Sequence, residues 1–282
     1  MKRMLVIGGT GTVGSAVISQ LLATGARVRA IARSAKPLPD QVERFPGDLT
    51  APETLDASLD NVDAVFLVWT APAATAPAVF QRLARHRERI VLLSSPHKTP
   101  HPLFQQPNPL KAQHAHIEQQ LEQSGVQWTI LRPGMFSANA RGWWAPQIRA
   151  GNVVRWPYAA VPTAPIHERD IAAVAVRALL DEGHAGAEYV MTGPDALTHI
   201  DQVAAIGEAI GRTLRFEELS PDEARREMLS LMPSGAIDML LNAWAAALGH
   251  PALITDTVER VTGAKPRTFL QWAKDHAVDF AA

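Results

Sequence analysis

The sequence predicts an α/β fold in which a doubly wound parallel sheet carries a smaller, mostly helical C-terminal lobe. Three observations point to it. A glycine-rich turn at residues 8–14 joins an apolar run to a helical pattern, the two patterns then alternate to about residue 140, and the rest is mostly helical. The chain of 282 residues, 47% of them hydrophobic, is long enough to enclose a large core.

The first unit begins with the apolar residues 4–7 and the turn that follows them. Glycines recur at positions 8, 11 and 14 of that turn, and apolar residues then repeat at helical spacing until Gly25. A second strand is predicted at 28–32. Because glycine permits a tight turn and lets phosphate oxygens approach the backbone at a helix N-terminus, the turn predicts a site for a dinucleotide diphosphate. An ordinary turn between strand and helix is the alternative.

The residues of this turn that we expect to bind the dinucleotide are Gly8, Thr10, Gly11, Thr12, Val13 and Gly14. The end of the second strand selects between cofactors, since an acidic residue there binds the ribose 2′-OH of NAD and an arginine accommodates the 2′-phosphate of NADP. Arg33 and Ser34 stand at this point and no carboxylate does. NADP(H) is therefore favoured, and NAD(H) stays open because Arg33 could also be an ordinary solvated residue.

The alternation continues to about residue 140. Strands are predicted at 42–45, 64–68, 90–93 and 128–131, and helices at 51–59, 76–86 and 110–123. The strands are nearly continuous runs of Val, Ile and Leu, which is typical of parallel strands covered on both faces. Residues 1–140 are thus predicted to form a Rossmann-type dinucleotide-binding domain.

Residues 141–282 are predicted to form the smaller lobe, with an approximate boundary across which the two parts interleave. Short strands are predicted at 151–154, 164–166 and 189–191, and a helix capped by Asp170 at 172–180. Helices follow at 199–211, 236–248 and 268–276, and another opens with a capping box at 220–223. We expect this lobe to cover the carboxyl ends of the strands, where ligands of such folds bind.

The composition argues against several classes of protein. With 27 basic and 28 acidic residues the net charge is −1, so no nucleic-acid partner is expected. Cysteine is absent, which excludes disulfides and thiolate chemistry and fits a reducing compartment. The first strand leaves no room for a signal peptide and no apolar stretch is long enough for a membrane span. We therefore expect a cytoplasmic protein, monomeric or homodimeric, with no membrane partner.

Several short motifs along the chain are, taken together, typical of one protein family. They are residues 8–14, Gly47-Asp48-Leu49, Leu93-Ser94-Ser95, residues 128–134, Thr192-Gly193-Pro194 and Val261-Thr262-Gly263. Together they resemble the NmrA-like, atypical branch of the short-chain dehydrogenase/reductase superfamily, and the resemblance covers nearly the whole chain. It implies that the chain binds NAD(P).

The resemblance also implies which residues border the cofactor. The adenine end is implied for Asp48 and Leu49, the groove after the fourth strand for Val68, Trp69 and Thr70, the nicotinamide ribose for Ser94 and Ser95, and the nicotinamide for Pro133, Gly134, Met135 and Phe136. All these positions follow carboxyl ends of strands, where ligands of such folds bind. Hydrogen bonding at a strand end is the alternative role of each serine.

The chain departs from the better-known members at the catalytic pair. They carry Tyr-x-x-x-Lys on the helix after strand five, where the lysine lowers the pKa of the tyrosine. Here the only tyrosines are Tyr158 and Tyr189. If Glu118 is the acidic residue four places after that lysine, His114 holds the lysine position and Leu110 the tyrosine position. His114 is then a candidate for contact with the cofactor or for proton delivery, unless it is a bystander.

Other histidines surround this helix. His97 and His101 lie in the segment 96–109, whose five prolines are consistent with a lid. His116 and His114 stand two positions apart, so their side chains diverge on a helix, and no acidic residue has ligand spacing. No metal site is expected.

The aromatic residues of the chain indicate the chemical class of the substrate. The candidate substrate-pocket residues are His97, Phe104, Phe136, Trp143, Trp144, Trp156 and Tyr158, which fall on segments expected near the cleft. Such side chains offer a flat apolar wall to an aromatic ligand. Ordinary core packing is the alternative for each tryptophan.

The functional hypothesis is an NAD(P)H-dependent oxidoreductase that passes hydride directly to an electron-poor, hydrophobic acceptor, such as a quinone or a polycyclic dye. Such acceptors need little help with protons, so positioning supplies most of the rate. The loss of the Tyr/Lys pair also fits a sensor or regulator that binds NADP(H) without reducing anything. A tailoring oxygenase or isomerase of aromatic natural products is a third alternative.

Overall fold

A computed structural model describes residues 1–31, 37–85 and 89–281, and nine strands lie in these ranges. They are β1 (Arg3–Ile7), β2 (Arg27–Ile31), β3 (Val42–Phe45), β4 (Ala64–Val68), β5 (Arg89–Leu93), β6 (Trp128–Pro133), β7 (Val153–Pro157), β8 (Ala187–Met191) and β9 (Arg215–Leu219). Seven form one sheet in the order β3-β2-β1-β4-β5-β6-β8, and every neighbouring pair is parallel. The predicted parallel, doubly wound sheet is confirmed.

Helices connect these strands. They are α1 (Thr12–Ala23), α2 (Asp56–Leu59), α3 (Ala76–Arg85), α4 (Pro102–Gln105), α5 (Pro109–Gln123), α6 (Asn139–Ala150), α7 (Glu168–Leu180), α8 (His199–Ile210), α9 (Pro221–Met228), α10 (Ser234–Ala247), α11 (Thr257–Thr262), α12 (Phe269–Asp275) and α13 (Ala277–Phe280). Short 3₁₀ turns at Pro52–Leu55 and Ala73–Thr75 precede α2 and α3. All these connections leave the strand carboxyl ends together at one edge of the sheet.

Both faces of the sheet are covered. On one face α1 and α7 pack together, with Val17, Ile18 and Ile171 buried against the strands. On the other face α3 and α5 supply Phe80 and Leu121 to a second core. Burial on both faces explains why the strands are apolar throughout.

A third core holds the second lobe, which consists of α4, α6, α8–α10, α12, α13 and the two-stranded parallel sheet of β7 and β9. Trp144, Trp156, Trp244 and Trp272 are completely or almost completely buried in it. The second lobe is thus a packed unit with its own aromatic core.

Some sequence predictions are wrong in detail. The structure has no strand at 164–166, where only an isolated bridge joins Ile166 to Phe136. Asp170 lies inside α7, and the helix is capped by His167, whose ring accepts a hydrogen bond from the amide of Arg169. The strand predicted at 151–154 begins two residues later, at Val153. β9 and α6 were not predicted.

The division into two parts at residue 140 stays a prediction. We also expected the two parts to interleave, and the sheet shows that they do. β8 pairs with β6 and completes the sheet, although it lies well beyond residue 140. α7 likewise packs on α1 at the face of the sheet. No helix in the described ranges is both long and apolar enough to cross a membrane.

Candidate functional site

Three adjoining cavities form one trough along the carboxyl ends of the strands. The first, of about 530 Å³, lies over the ends of β1, β2 and β4. The second, of about 280 Å³, lies at the turn before α1, and the third, of about 370 Å³, lies at the ends of β5 and β6. Val68 lines all three. The trough therefore crosses the sheet where a dinucleotide binds in such folds.

The turn at residues 8–14 leaves no room for side chains at two of its glycines. A Cβ on Gly14 would lie 2.2 Å from the carbonyl oxygen of Gly8, so α1 packs directly on the backbone of the turn. Gly8 has a φ of +93°, and a Cβ there would lie 2.8 Å from Cβ of Val68. Both glycines are thus required by the backbone geometry.

This turn fits a diphosphate. The predicted residues Gly8, Gly11, Thr12, Val13 and Gly14 all line the second cavity, and Thr10 lines the first. The first turn of α1 holds no acidic residue, and a helix N-terminus offers amides without intrahelical acceptors. Nothing on this turn repels an anion.

The far end of the trough holds the residues implied for adenine. Asp48, Leu49, Val68 and Thr70 line the first cavity, and the carboxylate of Asp48 accepts a hydrogen bond from the amide of Thr50 at 2.8 Å. Arg33 and Ser34, on which the preference for NADP(H) rests, lie outside the described residues. That preference stays a prediction.

The third cavity, called the apolar cavity below, gathers most of the remaining predicted residues. It is lined by Val68, Trp69, Leu93, Ser94, Ser95, Pro96, His97, Leu103, Phe104, Gln106, Asn108, His114, Pro133, Gly134, Met135, Phe136, Asn139, Met239, Leu240, Ala243 and Trp244. The structure thus brings both predicted serines, His114 and the segment 133–136 to one place, at the end of the trough where the resemblance locates the nicotinamide.

The segment 133–136 is held by the backbone on either side of it. The amide of Gly134 donates to the carbonyl of Met191, and the amide of Ile166 donates to the carbonyl of Met135. Gly193 permits this arrangement, because a Cβ there would lie 2.1 Å from the carbonyl oxygen of Pro165. The Thr192-Gly193-Pro194 motif therefore acts by close backbone packing.

Beneath the apolar cavity lies a cluster of charged residues, called the floor cluster: Lys98, Glu118, Arg132 and Glu188. Glu118 is completely buried and accepts hydrogen bonds from Ser94 Oγ at 2.6 Å and from Arg132 Nη2 at 2.7 Å. Lys98 Nζ lies 3.0 Å from Glu118, and Arg132 also pairs with Glu188. Burial alone would raise the pKa of Glu118, but the hydrogen bonds from Arg132, Ser94 and Lys98 lower it. Glu118 therefore remains ionised.

Ser94 connects this cluster to His114. Nδ1 of His114 lies 3.4 Å from Ser94 Oγ, a long hydrogen bond. Because the Ser94 proton is donated to Glu118, Ser94 can only accept from His114, which assigns the proton of the neutral ring to Nδ1. Burial, reinforced by the nearby His97, lowers the pKa of His114. At neutral pH the ring therefore offers an unprotonated Nε2, which accepts hydrogen bonds and has no proton to deliver.

The segment 96–109 borders the cavity and contains α4. His101 caps this helix and also lies 2.9 Å, through Nε2, from the carbonyl of Pro251. Phe104 and Leu103 of α4 line the cavity. The described residues contain no group of three side chains arranged to hold a metal ion.

The prediction of the substrate pocket needs correction at four aromatic residues. Trp143, Trp144, Trp156 and Tyr158 do not line the apolar cavity, whereas His97, Phe104 and Phe136 do. Trp144 and Trp156 are at most 1% exposed because they pack edge to face, 6.3 Å apart, inside the second lobe. Trp143 stacks on Trp156 at 5.7 Å, and Tyr158 is 6.5 Å from the ring of Trp244.

Helix α10 supplies the wall that sequence reasoning missed. Met239, Leu240, Ala243 and Trp244 line the cavity at helical positions i, i+1, i+4 and i+5. This apolar stripe was visible in the sequence, but it begins 100 residues after the preceding lining residue, Asn139. Leu110, at the position of the missing tyrosine, is 48% exposed and brings no acid to the site.

Comparison with known proteins found a matching family model, relatives over the full length of the chain and solved structures with the same fold. A family model described as NAD(P)H-binding matches residues 8–182. The (4-alkanoyl-5-oxo-2,5-dihydrofuran-3-yl)methyl phosphate reductase of Streptomyces griseus subsp. griseus is 35% identical over 290 residues, covering 99% of each chain. The NAD(P)H azoreductase of Xenophilus azovorans is 32% identical over 293 residues, also covering 99% of each. The structure of NmrA, a negative transcriptional regulator in complex with NADP, has the same fold, with a TM-score of 0.74, 17% identity, and coverage of 97% of this chain and 94% of NmrA.

Proposed function

Since the chain belongs to the NAD(P)H-binding family, we propose that it is an NAD(P)H-dependent reductase that passes hydride directly to an electron-poor, hydrophobic acceptor. Two relatives that match it from end to end carry the names of reductases, one of an unsaturated lactone that bears a methyl phosphate group and one of azo compounds. Quinones, conjugated carbonyl compounds and polycyclic dyes belong to the same chemical class, because each accepts hydride at an electron-poor conjugated system.

The observation that carries this proposal is the apolar cavity at the nicotinamide end of the trough. Phe136 and Asn139 line both this cavity and the cavity at the diphosphate turn, so a flat ligand here lies beside the bound dinucleotide. The walls provided by Trp69, Phe104 and Trp244 suit an aromatic acceptor. Positioning of this kind supplies a large part of a hydride-transfer rate.

The chain's own residues fit an acceptor that needs no proton during the hydride step. The Tyr/Lys pair is missing, and His114 is unprotonated at neutral pH because burial lowers its pKa. When bound, the cofactor supplies the two electrons and the hydrogen as hydride. For a quinone the balance is quinone plus NADPH plus H⁺ giving hydroquinone plus NADP⁺, with the proton taken from water.

A panel of acceptors tests the proposal. NADPH oxidation is followed with quinones, neutral azo compounds and conjugated lactones, with each acceptor measured also without protein. We expect turnover of at least one class and, for quinones, one NADPH consumed per hydroquinone formed. Cofactor binding without turnover of any acceptor would contradict the proposal.

The same result would favour the sensor hypothesis. A regulator that binds NADP(H) needs no catalytic acid, which the exposed Leu110 at the tyrosine position allows. In that case a protein partner should be retained by the immobilised chain, and its retention should depend on the ratio of NADPH to NADP⁺. Retention that ignores this ratio would count against a sensor.

The location and assembly of the protein complete the proposal. A cytoplasmic location fits the absence of cysteine, and a small hydrophobic acceptor is the partner that the cavity suits. A monomer or a homodimer is expected, and sedimentation of the purified chain distinguishes the two from larger assemblies.

A further inference from the structure

We infer that the apolar cavity admits only an uncharged part of the acceptor, so that acceptors with a sulfonate on the conjugated ring system itself are excluded. This inference rests on the proposed reductase function and names the substrate class of its site. It also assigns this selection to α10, whose partly exposed face lines the cavity.

The lining of the cavity lacks charged residues. None of its 21 described lining residues is an Asp, Glu, Lys or Arg. Its two histidines do not supply a cation at neutral pH, since burial lowers the pKa of both His97 and His114. An anion entering the cavity would lose hydration and find no counter-ion.

The charges beneath the cavity cancel. In the floor cluster the carboxylates of Glu118 and Glu188 face the cations of Arg132 and Lys98. Lys98 also lies 3.9 Å from the carboxylate of Glu122, which adds negative charge on that side. No net positive field therefore reaches the cavity from below, and the diphosphate expected along the trough would repel a second anion.

α10 completes this neutral surface. Met239, Leu240 and Ala243 line the cavity from one face of the helix, and all three are apolar and only partly exposed. Leu240 contributes a flexible aliphatic side chain that a lysine can replace with its ammonium extended toward the open side. The opposite face carries Asn242, which is exposed.

Lys111 is a cation on α5 that would weaken this selection if it bound the anionic group of an acceptor. It stands three residues before His114 on α5, is half-buried, and does not line the cavity. An anionic acceptor held at the rim by Lys111 would contradict the inference, and the variant Lys111→Gln distinguishes this case.

The first experiment compares phenanthrenequinone with its monosulfonate, which share one ring system. We expect kcat/KM for the neutral quinone to exceed that for the sulfonate at least about tenfold, because desolvation of the unpaired anion opposes binding. Binding is measured separately by quenching of tryptophan fluorescence in protein saturated with a 1,4,5,6-tetrahydro analogue of NADPH, whose uncharged ring neither donates hydride nor supplies a counter-ion, since Trp69 and Trp244 border the cavity. The same preference should appear in the two dissociation constants.

The second experiment tests whether a charge introduced on α10 changes the selection against anions. Leu240→Lys should lower the ratio of neutral to sulfonated binding about tenfold, because it adds a counter-ion at the cavity. Leu240→Gln adds polarity without charge, and Asn242→Lys adds the same charge on the other face of α10. Both controls should leave the ratio unchanged.

The outcomes separate this inference from the proposed function. Equal turnover or equal binding of both quinones by the wild-type protein overturns the inference while leaving a reductase. Sulfonate binding that disappears in Lys111→Gln overturns it as well. If neither quinone is reduced but the neutral one binds selectively, the proposed acceptor chemistry fails and the selection by charge stands.

Discussion

At the scale of single residues, one hydroxyl proton determines what His114 can do. Ser94 donates that proton to Glu118, which Arg132 and Lys98 keep ionised. His114 must then present Nδ1–H to Ser94 and a free Nε2 to its other side. The resemblance implied contact with the cofactor or proton delivery for this residue, and its surroundings favour contact.

We predict that His114 acts by accepting a hydrogen bond. His114→Leu should lower kcat/KM about fivefold, the equivalent of one hydrogen bond of about 1 kcal/mol, and should raise the Kd of NADPH similarly. His114→Gln keeps an acceptor and should stay close to the wild type. Because burial lowers the pKa of His114, the wild-type rate should stay flat through neutral pH and change only below the ordinary value of 6.5.

The pH profile decides between the two roles. If His114 delivered a proton, the wild-type rate would fall as pH rises through its pKa, and both variants would lose that limb equally. A Gln variant as impaired as the Leu variant would contradict an acceptor role.

We also predict that Gly14→Ala weakens cofactor binding. Its Cβ would lie 2.2 Å from the carbonyl oxygen of Gly8, so the turn must move by an amount that costs about 1–3 kcal/mol. The Kd of NADPH should rise between about fivefold and 150-fold. Gly142→Ala is the matched control, since Gly142 is exposed on α6 with no atom within 4 Å of the added Cβ, and it should bind normally. Binding by Gly14→Ala at wild-type strength would show that the turn does not hold the diphosphate.

At the scale of elements, what could be predicted depended on whether the signal was local. β4 was predicted at its observed bounds, Ala64–Val68, because a strand buried on both faces is a continuous apolar run. β9 was missed because Arg215–Leu219 contains three charged residues and pairs with a single neighbour, β7. Tertiary packing determines the direction in which the side chain of Trp144 points from α6. The sequence analysis therefore predicted Trp144 in the substrate pocket, whereas the structure shows it in the core of the second lobe.

The contact between α7 and α12 gives a prediction on pH and stability. Glu168 of α7 accepts hydrogen bonds from Trp272 Nε1 at 3.0 Å and from His276 Nε2 at 2.7 Å. Burial alone would raise the pKa of Glu168, but its contacts with His167 and His276 hold the pKa well below the ordinary value of 4.5. A carboxylate whose pKa is depressed on folding stabilises the protein above its unfolded pKa and loses this contribution as pH falls below that value.

Glu168→Gln should therefore lower the free energy of unfolding by about 2 kcal/mol at neutral pH, the contribution of hydrogen bonds to a charged group. The difference from the wild type should shrink as the pH falls below about 4.5, where the unfolded carboxyl becomes protonated. Urea unfolding at several pH values measures it. Glu208→Gln, with an exposed carboxylate, should show no such pH dependence; a constant difference for Glu168→Gln at all pH values would contradict the proposed linkage.

At the scale of the whole molecule, the sheet could be predicted and the assembly of the second lobe could not. Alternating apolar strands and helices identify a parallel sheet because each strand is a local pattern. The chain returns to the sheet with β8 only after building α6 and β7, and the lining of the apolar cavity comes from both Phe136 and Trp244. Contacts between residues so distant in sequence leave no periodic signal.

Because the trough runs along the carboxyl ends of β1, β2, β4, β5 and β6, cofactor binding should stabilise the entire fold. At about a hundredfold excess over its Kd, NADPH should add about 2.7 kcal/mol to the free energy of unfolding. For a chain of this length that corresponds to an increase in Tm of roughly 5 °C. NADH at equal concentration should produce a smaller increase if Arg33 holds the 2′-phosphate. Arg33→Asp should then abolish the difference between the cofactors, and Gly14→Ala should reduce both increases. An unchanged Tm with either cofactor at about millimolar concentration, where even weak binding is detectable by this linkage, would contradict the cofactor site itself.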